Sequence, residues 1–225
     1  MSKIKKKEVF VVKNTIFRNM SELLCPHICI GCGKVGGILC DSCKKYIINK
    51  HGRKCLVCGQ WLESDICPSC ALPFREQFCI GERDGILRRL IEIYKYNSVR
   101  AASFELAELL GGVIGDCWTL VPLPTIRRHI RERGFDHIGL LCKKMGMPVE
   151  KVLLRANNSV QVGANNEKRR EQAKLAYLAR DVVSDKKYLL VDDVWTTGSS
   201  MLSACEVMRA AGAKNLAIAV IARSV

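Results

Sequence analysis

Four Cys-x-x-Cys pairs, Cys29/Cys32, Cys40/Cys43, Cys55/Cys58 and Cys67/Cys70, constrain this chain more than any other feature of its sequence. Seven residues separate the first two pairs and eight the last two, so the pattern is an internal repeat of two four-cysteine units. A tetrahedral Zn²⁺ takes four soft ligands at about 2.3 Å, and a Cys-x-x-Cys turn delivers two of them from one knuckle. Gly33 and Gly59 each follow the second cysteine of a leading pair, where a tight turn must aim backbone N–H groups at the sulfurs. A disulfide framework is the alternative, and a reducing compartment favours metal over it. Sequential pairing closes the shorter loops. A cross-braced pairing, first pair with third and second with fourth, uses the same eight ligands. With eight cysteines consumed and no spare ligand set holding an open position, both zinc ions are expected to be structural.

Cysteine also draws the expected boundaries. Ten of the 13 cysteines fall between Cys25 and Cys79, and only Cys117, Cys142 and Cys205 follow. The expected organisation is a basic segment over 1–24, a double zinc-ribbon module over 25–75, and a larger domain over 76–225. Cys25 and Cys79 read as small hydrophobes rather than ligands. With 48 % apolar and 26 % charged residues, the chain is not a disordered or fibrous protein. Its longest apolar run, Leu216–Ala222, is far below the ~20 residues of a membrane span. Lys3, Lys5, Lys6 and Lys7 precede an apolar run, Val9–Val12, too short for a secretory signal, so the expected location is the cytoplasm. The formal net charge of +14 suits a polyanionic partner as well as it suits solubility.

Beyond residue 78 the pattern alternates. Helical spacing runs over Ile86–Tyr96, Phe104–Ile114, Ile138–Met145 and Ser200–Ala211, the last ended by Gly212. Strand-like runs cover Thr119–Leu123, Val149–Leu154, Tyr188–Val191 and Leu216–Ala222. Strands alternating with helices predict an α/β fold with a parallel sheet. Within it, the segment from Tyr188 to Met201 is the most informative. A buried strand is expected to end in two carboxylates, Asp192 and Asp193, before a turn of Thr196, Thr197, Gly198, Ser199 and Ser200 opens a helix. Such a turn wraps an anion with N–H groups and hydroxyls, with the positive end of the helix behind it. The two carboxylates, acceptor-only when ionised, suit the adjacent hydroxyls of a ribose. A sugar phosphate satisfies both halves.

Asp192-Asp193-Val-Trp-Thr-Thr-Gly-Ser-Ser resembles the phosphoribosyl-pyrophosphate (PRPP) signature of type I phosphoribosyltransferases. The likeness extends to the ComF family, associated with bacterial DNA uptake, whose members carry a zinc ribbon before such a domain. It rests on the cysteine pairs, Tyr94-Lys95-Tyr96, Val121-Pro-Leu-Pro124, Arg131-Glu-Arg-Gly-Phe135, Gln161-Val-Gly163 and the signature, and covers the chain after about residue 20. Asp136, Gln172 and Arg83 depart from the family's usual residues.

The resemblance implies that Thr196, Thr197, Gly198, Ser199 and Ser200 hold the 5′-phosphate. Asp192 and Asp193 would hold the ribose, and Pro122, Leu123 and Pro124 would lie at the pyrophosphate loop. Arg127, Arg128, Arg131 and Arg133 follow that loop, where a pyrophosphate needs cations, with Arg133 singled out and a solvated basic helix face as the competing reading. Lys95 would reach the site or snorkel. Arg169, on a polar stretch from Gln161 to Gln172, would be carried in by a lid and act with Asp192 and Asp193 in catalysis. Mg²⁺ would accompany PRPP as its chelate.

Three functions stay open on these residues. One is phosphoribosyl transfer to an unnamed acceptor. Another is handling of single-stranded DNA during uptake, with a competence-machinery protein as a further partner. The third is a zinc-dependent adaptor or nucleotide sensor without turnover. Aromatic residues make up only 6 %, so phosphate contacts rather than base stacking would dominate DNA binding.

Overall fold

The computed structural model describes residues 27–50, 53–97, 99–115, 117–156 and 176–224. Its centre is a four-stranded parallel sheet in the order β3-β8-β7-β4. Here β3 is Glu76–Glu82, β4 Thr119–Pro122, β7 Lys187–Trp195 and β8 Asn215–Arg223. Alternation along the central strands sorts their side chains into two cores. Leu189, Val191, Ala217, Ala219 and Ile221 join one, while Tyr188, Leu190, Leu216, Ile218 and Val220 join the other. Helices α2 (Gly85–Lys95), α3 (Ala102–Val113) and α5 (His137–Lys144) supply the first core. Helix α6 (Ser199–Ala210) and an antiparallel ribbon of β5 (Leu153–Arg155) with β6 (Tyr177–Ala179) supply the second.

The expected helices are all present within one or two residues at their ends, and Gly212 closes α6 at φ +99°. Two strand readings need correction. The strand expected to stop at the carboxylates runs on to Trp195, because Val194 and Trp195 continue the pairing with Ala222 and Arg223. The run Val149–Leu154 does not form one strand: Val149 makes a single parallel bridge to Leu120, and β5 begins only at Leu153. Among the described residues no helix is long and apolar enough to cross a membrane.

The cysteine-rich part is joined to the sheet by its own side chains. A short hairpin of β1 (His27–Ile28) and β2 (Val35–Gly36) leads into α1 (Asp41–Lys50). From this part Cys29, Ile38, Leu39, Cys43 and Ile47 enter the first core, and Leu56 enters the second. Helix α1 also buries Lys44, whose ammonium lies 2.8 Å from Glu105 and 2.7 Å from Glu108 on α3. Burial opposes its charge, but the two carboxylates outweigh that and hold the lysine above its ordinary range. Removing one partner of a buried ion cluster leaves the other charges uncompensated. Lys44→Ala is therefore expected to lower unfolding free energy by about 3–5 kcal/mol, read by urea denaturation. A change below about 1 kcal/mol would show that α1 is held by its apolar contacts alone.

Candidate functional site

Both four-cysteine units come together sequentially. Cys29, Cys32, Cys40 and Cys43 form one cluster and Cys55, Cys58, Cys67 and Cys70 the other, with each set of sulfurs within 4.8 Å of one another. The Sγ–Sγ separations are 3.6 Å for Cys32–Cys40, 4.0 Å for Cys55–Cys70 and 3.8 Å for Cys58–Cys67. A tetrahedron with 2.3 Å arms has edges of about 3.8 Å, so these donor sets fit zinc. Gly33 and Gly59 take φ of +77° and +76°, as the knuckle turns require.

Within each cluster the thiols differ. Burial alone would raise Cys29, but the N–H groups of Cys40, Cys32 and Gly31 outweigh it and bring the thiol down to about 6. In Cys55 the same balance, won by the N–H groups of Cys58 and Val57 and by the side chain of Gln77, also gives about 6. Cys43, by burial and then its neighbouring sulfurs, is pushed up to about 12; Cys70, by Cys58 and then burial, is pushed up to about 12 as well. Four thiolates cannot crowd together uncompensated, and a divalent cation supplies the compensation.

The second candidate site lies where β7 gives way to α6. Gly198 adopts φ +75°, and a Cβ built there would stand 2.1 Å from Cζ2 of Trp195, so the turn lies directly on the indole. Only glycine meets both conditions. Thr197 Oγ1 lies 3.0 Å from Ser199 Oγ and accepts from the Ser199 N–H at 3.4 Å. Thr196, Thr197, Ser199 and Ser200 are exposed. A cleft of about 50 Å³ is lined by Asp192, Trp195, Thr196, Gly198, Ser199 and Ser200 among others. A water occupies about 30 Å³, so this space suits a small oxyanion.

The two adjacent carboxylates part company here, because neighbouring strand residues face opposite sides of a sheet. Asp192 lines the cleft. Asp193 is buried on the far side, 2.6 Å from Lys95 Nζ and 2.6 Å from His137 Nε2. Arg133 Nη1 in turn lies 3.0 Å from His137 Nδ1. Tyr94 donates to the His137 carbonyl at 2.5 Å and so fixes the start of α5. Burial raises Asp193, but the hydrogen bond from His137 and the Lys95 charge prevail and hold it well below the usual carboxylate range. Asp192 moves the other way: burial, then the charge of Asp193, pushes it up to about 7, with Lys95 and Arg155 opposing.

That upward shift carries a stability prediction. A carboxyl raised from 3.8 to about 7 on folding penalises the folded state increasingly as the pH climbs between those values. The Asp193 N–H donates to Asp192 Oδ1 at 2.8 Å, a bond that asparagine can keep. Asp192→Asn is thus expected to stabilise the free protein by roughly 1–3 kcal/mol above pH 7, with the gain vanishing near pH 4. Thermal unfolding across this range checks it, and a pH-independent difference would contradict it.

The remaining expected residues divide. The Leu123 N–H donates to Val191 O at 2.9 Å, which seats Pro122, Leu123 and Pro124 beside the end of β7. Asp136 accepts from the Gly139 N–H and from Thr125 Oγ1, both at 3.2 Å, so it caps α5 and ties down that loop. Of the four arginines on α4 (Arg127–Arg133), Arg127, Arg128 and Arg131 are exposed, and Arg128 pairs with Glu132 at 2.6 Å. Arg133 alone of the four turns toward the acidic network. Lys95 is drawn into the network rather than snorkelling, at 14 % side-chain exposure. Arg169, with the stretch from Gln161 to Gln172, lies outside the described residues, as does Cys25. Cys79 is half-buried and belongs to neither cluster, and burial pushes its thiol up to about 11.

The structure adds three residues that the sequence reading did not find. His137 bridges Arg133 and Asp193, Arg155 lies 5.5 Å over the Tyr177 ring, and buried Tyr177 stands close to Ser200. Arg155 and Tyr177 thereby flank the cleft from the β5–β6 ribbon.

The phosphoribosyl transferase domain family matches residues 130–224, which include α5, β7, the loop and β8. Competence protein ComFC of Bacillus subtilis (strain 168) is 23 % identical over 186 residues, covering 72 % of this chain and 74 % of that protein. Among solved structures, the allosteric regulatory enzyme of purine biosynthesis is 18 % identical with a TM-score of 0.42, over 57 % of this chain and 29 % of its own. The glutamine PRPP amidotransferase of B. subtilis is also 18 % identical, with a TM-score of 0.41, over 57 % of this chain and 30 % of its own. A hypoxanthine phosphoribosyltransferase of Staphylococcus aureus is 11 % identical with a TM-score of 0.34, over 58 % and 74 %. The chain thus spans under a third of the length of the first two enzymes. With two four-cysteine clusters set before a parallel α/β sheet, the chain is similar to competence protein ComFC over 72 % of its length and matches the phosphoribosyl transferase domain family over residues 130–224.

Proposed function

We propose that this chain binds PRPP with Mg²⁺ on the β7–α6 loop and transfers its phosphoribosyl group to an acceptor nucleophile. The observation that carries this reading is the glycine turn laid on Trp195, with a phosphate-sized cleft and Asp192 at its wall. In this reading the N–H groups and hydroxyls of Thr196 to Ser200 take the 5′-phosphate. Asp192, the only carboxylate among the described residues lining the cleft, accepts from a ribose hydroxyl. Asp193 acts from the opposite face: it holds Lys95 and His137, and through His137 it positions Arg133, a cation for the leaving pyrophosphate in this reading. Mg²⁺ bound to the pyrophosphate would neutralise leaving-group charge and keep most of its waters. The remaining contribution is positioning and electrostatics at the anomeric carbon. Arg169 is proposed to join from its own segment.

The two four-cysteine clusters are proposed to hold structural zinc. By its likeness to a competence protein, we assign the chain to DNA uptake, in the cytoplasm, with a protein of that machinery as a further partner. Exposed Arg127, Arg128 and Arg131 and a net charge of +14 support contact with single-stranded DNA through its phosphates. A screen of free bases for pyrophosphate release from PRPP and Mg²⁺ tests the transferase reading. Release with one base class is expected. Tight PRPP binding with no release for any base would make the domain a sensor.

A further inference from the structure

We infer that the chain has a second small-molecule site, for a planar anion of the nucleoside monophosphate class, between the second four-cysteine unit and the edge of the sheet. The inference stands apart from the transferase reading. The cavity there measures about 460 Å³, within the usual range of ligand sites, and shares no residue with the cleft beside Gly198. Phe78 and Ile80 of edge strand β3 line one side, and Leu56 and Trp61 of the cysteine unit line the other.

These walls are fixed to each other. Gln77 Oε1 accepts from the Leu56 N–H at 2.9 Å, and the Gln77 main-chain N–H donates to Asp65 O at 2.9 Å. Gln77 is buried, so its amide oxygen, through Leu56, braces the knuckle against the strand. The space is a built cavity rather than a loose seam.

Its charges single out one anchor. Lys50, Arg53 and Lys54 line the cavity, but each has a carboxylate: Asp84 at 2.5 Å, Asp65 at 3.5 Å and Glu82 at 2.9 Å. Arg223, the last residue of β8, is half-buried and has no ion pair or side-chain hydrogen bond among the described residues. Its guanidinium lies against Gly59, where an added Cβ would come within 3.2 Å of Nη2. A partly desolvated guanidinium with no ion-pair partner among the described residues favours an anion, and its planar fork matches a phosphate. Lys54 Nζ stands 4.7 Å over one face of the Trp61 ring, and Trp61 is 65 % exposed, so a base would stack on the face that Lys54 leaves uncovered. An unpaired cation and an open indole across an apolar cavity fit a molecule with a flat ring and one phosphate.

Calorimetry on the full-length, metal-loaded protein with AMP, adenosine and ribose 5-phosphate separates these parts. AMP is expected to bind at least tenfold more tightly than adenosine, which lacks the anion, or ribose 5-phosphate, which lacks the ring. Arg223→Gln should weaken AMP by about 10- to 100-fold, with Arg223→Lys in between and the metal content of both unchanged. In Thr197→Ala/Ser199→Ala, whose altered loop would itself take a ribose 5′-phosphate, the Arg223-dependent binding of AMP should persist. Loss of AMP binding in the loop variant with retention in Arg223→Gln would place the nucleotide at the loop and overturn the inference. Equal affinity for AMP and ribose 5-phosphate, or no AMP binding at all, would overturn it too.

Discussion

Stripping metal from the protein under anaerobic, reducing conditions is expected to unfold both four-cysteine units while the parallel sheet stays folded. Protein purified without oxidation should hold two zinc equivalents. Structural zinc supplies roughly 10 kcal/mol or more per site in small modules, far more than the apolar residues here can replace. The units should not respond alike. The first sends Ile38, Leu39 and Ile47 into the shared core and is clamped by Lys44, whereas the second is anchored by Leu56 and Gln77. Hydrogen exchange should therefore show the residues from Cys55 to Cys70 losing protection first, with α1 following and slackening α3. Fewer than one zinc equivalent, or unchanged protection of both units after chelation, would refute the structural role.

Gly198→Ala is expected to cost about a hundredfold in PRPP affinity while leaving the sheet intact. A side chain there meets two penalties: a left-handed backbone at φ +75°, worth about 1–2 kcal/mol, and overlap with the Trp195 ring at 2.1 Å. The turn must lift off the indole, which misplaces the N–H groups of Ser199 and Ser200 by enough to lose their aim. Trp195→Phe, which narrows the platform without touching the turn, should lose less. Wild-type affinity in Gly198→Ala would mean that the loop does not hold the phosphate.

How much of this was legible before the structure follows from the range of the interactions. The cysteine pairs are local, so their spacing alone marked the eight cysteines and favoured, over cross-bracing, the sequential grouping that the clusters show. The loop after β7 was equally local: strand, Thr-Thr-Gly-Ser-Ser and helix occur in that order within fourteen residues. What failed was the orientation of the carboxylates. Reading Asp192 and Asp193 as a strand end treats them as one acidic group, but pairing with β8 carries the strand on to Trp195 and sends the two to opposite faces. His137 was invisible because its partner Asp193 lies 56 residues away, and no local pattern marks it. The same holds for Lys44 and Glu108, 64 residues apart. Strand β3 hid behind Glu76, Gln77 and Gly81, poor strand formers whose pairing with β8 decides the matter. Arginine clustering on α4 left two readings open, a cation for the ligand and a solvated basic face, and the structure divides the cluster: Arg133 joins the buried network and the other three face solvent.

The central claim is that the β7–α6 loop with Asp192 takes a ribose 5-phosphate bearing pyrophosphate. Isothermal titration of the metal-loaded protein with PRPP and Mg²⁺ tests it most directly, with Asp192→Asn measured beside the wild type at pH 8. One binding event per chain is expected, weakened at least about tenfold in Asp192→Asn even though that variant is the more stable of the two. No heat of binding in the wild type, or the same affinity in both proteins, would contradict the account.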